Sequence, residues 1–123
     1  MRESLNYGHT LGHAIEKVAG YGVFPHGLAV ADGMRFAARL AEKTVDAAPG
    51  LAARQDHMLD SLSLPRLSEV YDVVEIRAAM ASDKKARGGR PRFVLMVAPG
   101  EFVVTHVDEE TLAAELREWF SGR

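Results

Sequence analysis

Three of the five histidines lie close together near the start of the chain, at His9, His13 and His26. His9 and His13 are four residues apart, so on a helix their imidazoles project from one face, one turn apart. His26 follows Pro25, and it can fold back from the next helix to offer a third imidazole. A catalytic zinc site needs three protein ligands and an open position. The spacing therefore indicates a metal site, although histidines that are merely hydrogen-bonded would also explain it.

Other polar residues continue this histidine face. On a helix, Arg2, Asn6 and Glu16 fall on the same stripe as the histidine pair. Gly8 and Gly12 lie in the same two turns, and each costs about 1 kcal/mol relative to alanine in a helix interior. We therefore expect something to approach this helix closely.

The elements that must hold these residues are predicted from hydrophobic periodicity and turn residues. The acidic start of the last helix suits the helix dipole, and a Pro-Gly turn predicts a hairpin. The fold class is therefore mainly α, a multihelical domain with one small β-hairpin near the C-terminus. The predicted helices are 2–19, 26–44, 51–61, 73–82 and 108–120, with a single turn at 67–71, a basic loop at 84–92, and strands at 92–97 and 101–105.

Composition bounds the class of protein. With 123 residues, 47% hydrophobic and 26% charged, the chain suits one ordinary soluble domain. The absence of cysteine fits a cytoplasmic setting, and the net charge of -2 argues against nucleic acid as a partner. No apolar run approaches the roughly 20 residues of a membrane helix, so we expect no membrane partner.

The remaining histidines and the larger apolar residues have simpler expected roles. His57 and His106 belong to no spaced set, which favours structural or surface positions. The residues expected to pack in the core rather than contact a cofactor are Met34, Met58, Met80, Met96, Trp119 and Phe120.

Taken together, several motifs resemble one known family. The run from Asn6 to Glu16 reads NYGHTLGHAIE, and it is followed by His26-Gly27 and, much later, by Asp83-Lys84-Lys85. With Arg2 before them, these motifs closely resemble the C-terminal half of 3-dehydroquinate synthase, the shikimate-pathway enzyme that cyclises a seven-carbon sugar-acid phosphate. The resemblance extends in order from Arg2 to the first predicted strand.

The resemblance implies a role for each matching residue. His9 and His26 correspond to ligands of a zinc or cobalt ion, and the family's third ligand, a glutamate, has no match in this chain. His13 corresponds to a residue that faces the substrate. Arg2 and Asn6 correspond to substrate contacts. Either Lys84 or Lys85 corresponds to the active-site lysine, although a basic run is otherwise typical of a solvated loop.

The resemblance also implies the chemistry. In the family, NAD oxidises the substrate transiently, phosphate is eliminated, the ketone is reduced again, and the ring closes in an aldol-type step. NAD binds mainly in an N-terminal domain, and the full-length enzyme is a homodimer. Residues 1–123 resemble no dinucleotide-binding unit, so we expect a fragment, the C-terminal metal- and substrate-binding domain, that is inactive alone.

Two positions depart from the family pattern, which usually reads His-Gly-Glu-Ala-Val-Ala-Ile-Gly-Met. Leu28 replaces the acidic residue near the metal, and Asp32 replaces the apolar one. These departures leave open another sugar phosphate cyclase. Two further alternatives are a metal-dependent alcohol or polyol dehydrogenase and a non-catalytic helical metal-binding or interaction module.

Overall fold

The computed structural model describes residues 6–83 and 92–123. Within these ranges it contains five helices and one two-stranded antiparallel hairpin, which confirms the predicted fold class. No helix in this part of the chain is long and apolar enough to cross a membrane. The elements are α1 (His9–Ala19), α2 (His26–Thr44), α3 (Leu51–Ser61), α4 (Val73–Asp83), β1 (Arg92–Ala98), β2 (Glu101–His106) and α5 (Glu109–Ser121).

The longest helix, α2, is the centre of the packing. It contacts α1, α3, α5 and β1, while α4 packs against α1 and α5. Phe36 and Leu40 of α2 are fully buried in the shared core. The alanines of α2 are also buried, which lets neighbouring elements approach its backbone closely: Ala29, Ala31, Ala37, Ala38 and Ala41.

The hairpin and α5 cover the rest of α2. Phe93 and Leu95 of β1 are buried, and the amide of Ala48 donates a hydrogen bond of 2.9 Å to the carbonyl of Val97. Asp108 caps α5 by accepting from the amide of Thr111. The predicted buried face of α5 is confirmed at Leu112, Leu116, Trp119 and Phe120.

Three predictions about the elements are wrong. The first helix begins at His9 and does not include residues 6–8, because Gly8 has a left-handed backbone with φ of 81°, while residues 2–5 of the predicted helix lie outside the described residues. Residues 67–71 form no helical turn, since the amide of Leu67 donates instead to the carboxylate of Asp32 on α2. Met58 is 49% exposed rather than part of the core, because α3 buries the face that carries Gln55.

Candidate metal centre

The start of α1 is fixed by a buried tyrosine. The Tyr7 hydroxyl donates to the side-chain oxygen of Gln55 at 2.7 Å, and the Gln55 amide donates to the carbonyl of Met34 at 2.8 Å. Burial raises the pKa of Tyr7 to about 12, so its hydroxyl keeps its proton at neutral pH. The Tyr7 ring also meets the edge of Phe102 from β2. These contacts join the residues before His9 to α2, α3 and the hairpin.

Glycines bring α1 and α2 unusually close. A Cβ on Gly33 would lie 2.0 Å from the carbonyl oxygen of Gly8, and a Cβ on Gly12 would lie 3.1 Å from the carbonyl oxygen of Ala29. A side chain at any of these glycines would therefore push the helices apart. The close approach expected from the glycines exists, and it is made by the backbone of α2. As a result His26, the first residue of α2, lies beside α1.

The three predicted histidines converge. The ring centroids of His9 and His13 are 5.0 Å apart, and those of His26 lie 5.4 Å from His9 and 5.8 Å from His13. One ring nitrogen from each residue lies within 4.8 Å of the other two. Nitrogens around a tetrahedral zinc are about 3.4 Å apart, so small side-chain rotations would close the set around one ion. The donors present therefore fit zinc or cobalt, both of which accept imidazole.

Hydrogen bonds determine which ring nitrogen His9 and His26 can each offer to a metal ion. The Nδ1 of His9 lies 3.3 Å from the carbonyl oxygen of Tyr7, and the Nδ1 of His26 lies 2.6 Å from Oε1 of Glu16. A carbonyl or carboxylate oxygen only accepts, so each neutral ring donates from Nδ1. Nε2 then keeps its lone pair for a metal in both residues.

An open cleft adjoins the histidines. It has a volume of about 270 Å³ and is lined by His13, Glu16, Lys17, Tyr21 and Ala79. His13 is half-buried, whereas His26 is exposed. The cleft therefore gives a polar molecule access to His13 beside a cation and a carboxylate.

The chain matches a known protein family. Residues 1–86 match the family model described as 3-dehydroquinate synthase C-terminal. The chain belongs to the 3-dehydroquinate synthase C-terminal family. The match includes the whole histidine constellation of α1 and the start of α2.

Curated relatives of this family carry the same name. The chain is 47% identical over 115 residues to a 3-dehydroquinate synthase of Opitutus terrae, covering 93% of the chain and 32% of that protein. It is 45% identical over 107 residues to one of Geobacter metallireducens, covering 87% of the chain and 30% of that protein. The chain thus spans about a third of the length of these relatives.

Solved structures of sugar cyclases have the same fold. One is a 2-epi-5-epi-valiolone synthase of Streptomyces hygroscopicus with bound NAD+ and Zn2+. The match covers 97% of the present chain and 33% of that synthase, with a TM-score of 0.79 and 25% identity. A 2-deoxy-scyllo-inosose synthase complexed with carbaglucose-6-phosphate, NAD+ and Co2+ matches 94% of the chain and 35% of its own, with a TM-score of 0.78 and 25% identity.

The other predicted site residues of this family member are only partly placed by the structure. Asn6 is exposed in the turn before α1, so the expectation that it shares a helical stripe with His9 is wrong. Arg2, Lys84 and Lys85 lie outside the described residues. His57 and His106 are both exposed, as expected for residues outside the site.

The described residues on either side of 84–91 lie against α1. The helix before this segment, α4, packs on α1 and contributes Ala79 to the cleft. The residue after it, Arg92, accepts a hydrogen bond of 2.9 Å through its carbonyl from the hydroxyl of Thr10. The described elements on both sides of the lysine-containing segment, α4 and the start of β1, therefore contact the helix that carries His9 and His13.

Sequence reasoning missed the partners of two acidic residues. It placed Glu16 on the histidine face without linking it to His26, although the two lie at the ends of one short connection. It noted Asp32 only as a departure, whereas this carboxylate is fully buried and accepts from Arg123, Leu67 and Trp119. An acid within an alanine-rich helix was the available sign of such a buried partner. Leu28, the other departure, is half-buried against the core.

Proposed function

We propose that this chain is the metal- and substrate-binding part of a 3-dehydroquinate synthase. The longer enzyme would convert 3-deoxy-D-arabino-heptulosonate 7-phosphate to 3-dehydroquinate and phosphate. The observation that carries the proposal is the convergence of His9, His13 and His26 within 4.8 Å, in a chain that belongs to the family. The convergence alone would also suit a non-catalytic metal-binding module, and membership of the synthase C-terminal family favours the enzyme over that alternative.

The residues present would hold a divalent zinc or cobalt ion through His9 and His26. Their Nδ1 hydrogen bonds leave Nε2 as the donor atom in both residues. A metal at this position supplies Lewis-acid polarisation of a substrate oxygen and holds the substrate in place. The third protein ligand would come from the part of the enzyme outside this chain.

The substrate would lie in the cleft that His13 and Lys17 line. His13 would donate a hydrogen bond to the substrate, because an imidazole N–H is a donor. Asn6 precedes the same helix and would contact a substrate hydroxyl. Arg2 and one of Lys84 and Lys85 would pair with the substrate's carboxylate and phosphate, which are the anionic groups that these cations suit.

The redox part of the reaction would lie outside this chain. The one sheet in the described residues is a two-stranded antiparallel hairpin. Dinucleotide-binding folds hold NAD at the edge of a parallel sheet, which the described residues do not form. NAD bound by the rest of the enzyme supplies the transient oxidation and the later reduction. We therefore expect the 123-residue chain alone to have no synthase activity.

Restoring an NAD-binding half tests this proposal. We would fuse the chain behind the remaining two thirds of the Opitutus terrae relative and measure phosphate release and 3-dehydroquinate formation. We expect activity in the fusion, loss of at least about 100-fold in kcat/KM with His9→Ala because a metal ligand is removed, and near-normal activity with the exposed His57→Ala as the matched control. Alcohol-dependent NADH formation without phosphate release would support a dehydrogenase instead.

A second candidate is another sugar phosphate cyclase. The structural match to 2-epi-5-epi-valiolone synthase, with a TM-score of 0.79, favours it, and so do the departures at Leu28 and Asp32 from the synthase pattern. The same fusion distinguishes the two. Cyclisation of a sugar phosphate that lacks a carboxylate, with no 3-dehydroquinate formed, would favour the second candidate.

A further inference from the structure

We propose that Glu16 is a positioning residue that fixes the tautomer and orientation of His26 for metal binding. The inference rests on the metal site of the proposed function and adds a residue to it. Glu16 Oε1 lies 2.6 Å from Nδ1 of His26, which is a short charge-assisted hydrogen bond. The Glu16 side chain is only 12% exposed, so the carboxylate is itself held in place.

His26 needs such a partner more than the other two histidines do. His9 and His13 project from the rigid first turns of α1 and are half-buried, whereas the side chain of His26 is 58% exposed. His26 is also the first residue of α2, directly after a loop that contains Gly20 and Gly22 in left-handed conformations. An exposed ring at a helix start would otherwise sample several rotamers, and ordering it for a metal would cost free energy.

The charge of Glu16 sets which nitrogen is available. Because the carboxylate accepts from Nδ1–H, the lone pair of His26 is confined to Nε2. In a free histidine the proton can occupy either nitrogen, so part of the population would present the wrong atom. Glu16 therefore acts on the metal through His26, and not as a ligand of its own.

Cobalt binding to the 123-residue chain tests this role. Visible absorption during Co2+ titration gives the affinity of the wild type and of Glu16→Gln and Glu16→Ala, with circular dichroism to show that each variant is folded. We expect the dissociation constant to rise about 10- to 100-fold for alanine and less for glutamine, which keeps an acceptor oxygen but loses the charge. Glu110→Gln on α5 removes the same charge from a helix without site residues, and its affinity should match the wild type.

Nitrogen-15 spectra of the metal-free chain at pH 8 provide the second readout. We expect His26 to carry its proton on Nδ1 in the wild type and in Glu110→Gln, and to become a mixture of tautomers in Glu16→Ala. Equal Co2+ affinity in wild type and Glu16→Ala would overturn the positioning role of Glu16 but leave the proposed metal centre standing. Weaker affinity with an unchanged His26 tautomer would also overturn it. A wild type that binds no Co2+, both as the 123-residue chain and in the fusion that supplies the third ligand, would overturn the proposed metal centre as well.

Discussion

Tyr7 is the residue that links the start of α1 to the rest of the fold. Its side chain is buried, and its hydroxyl donates to Gln55, a neutral acceptor on α3. Burial disfavours the phenolate, and the nearby carboxylate of Asp56 disfavours it further, so the pKa of Tyr7 rises to about 12. The folded chain therefore holds the neutral form of this tyrosine more tightly than the unfolded chain does.

This difference predicts a loss of stability in alkali. A tyrosine in the unfolded chain ionises near pH 10, whereas Tyr7 in the fold ionises near 12, so the unfolded state alone releases its proton between these values. The stabilisation by the neutral hydroxyl is fully present below pH 10 and is lost as the pH rises toward 12. A shift of this size corresponds to about 3 kcal/mol.

Urea unfolding at pH 8 and at pH 11.5 measures this loss. Tyr7→Phe lacks the hydroxyl, so we expect it to be less stable by about 1 kcal/mol at pH 8 and to lose less stability than the wild type toward pH 11.5. Other groups titrate equally in both proteins, which makes the phenylalanine variant the matched reference. Parallel losses in the two proteins would show that Tyr7 does not cause the alkaline instability.

At the scale of elements, the contact between α1 and α2 decides whether the histidines meet. Gly33 of α2 faces the carbonyl of Gly8, and the two backbones leave no room for a methyl group. Backbone atoms cannot rotate away as a flexible side chain can. The helices would have to separate, and the distance between His26 and His9 would increase with them.

Gly33→Ala should therefore be destabilising. We expect a loss of about 1–3 kcal/mol or more in the free energy of unfolding, because the new methyl group overpacks a backbone contact. Gly27→Ala is the matched control, since a Cβ there meets nothing within 4 Å and alanine is the better helix former. Thermal melts of the two variants provide the comparison. If Gly33→Ala melts no lower than Gly27→Ala, the close packing of the helices is not what the structure indicates.

The elements that the sequence predicts well are those set by local patterns. Periodicity and the Pro-Gly turns place α2, α3, the hairpin and α5, and spacing alone puts His9 beside His13. The predicted start of α1 and the predicted helical turn at 67–71 were wrong because contacts with distant residues set both segments. These contacts join Tyr7 to Gln55 and Leu67 to Asp32. Periodicity carries no information about such partners, and the contact of Glu16 with His26 escaped prediction for the same reason.

At the scale of the whole molecule, Asp32 joins α2 to the segment at Leu67 and to the C-terminal residues Trp119 and Arg123. Arg123 donates to the two oxygens of Asp32 at 3.0 and 2.9 Å, Trp119 donates from its indole, and the amide of Leu67 completes the set. Asp32 is fully buried, and the Arg123 side chain is 2% exposed. A buried ion pair of this kind is costly to form and more costly to break on one side only.

Breaking the pair from each side and then from both should give non-additive effects. Asp32→Ile restores the apolar residue of the family pattern but leaves the Arg123 guanidinium buried without its carboxylate, so we expect a loss of about 3–5 kcal/mol. Arg123→Met leaves Asp32 with two weaker donors and should cost a similar amount. In the double variant neither charge of this pair remains buried, and well-packed apolar replacements are often neutral or stabilising.

The double-variant cycle in urea therefore measures the coupling between Asp32 of α2 and Arg123, the second residue after α5. We expect the double variant to be more stable than either single variant, with a coupling energy of several kcal/mol. Each substitution removes the buried charge that the other substitution would leave unpaired. Additive losses would mean that Asp32 is held by Trp119 and Leu67, with Arg123 contributing little. A compensated pair explains how this chain carries an acid at a position where the family pattern has isoleucine, while α2 still places His26 beside α1.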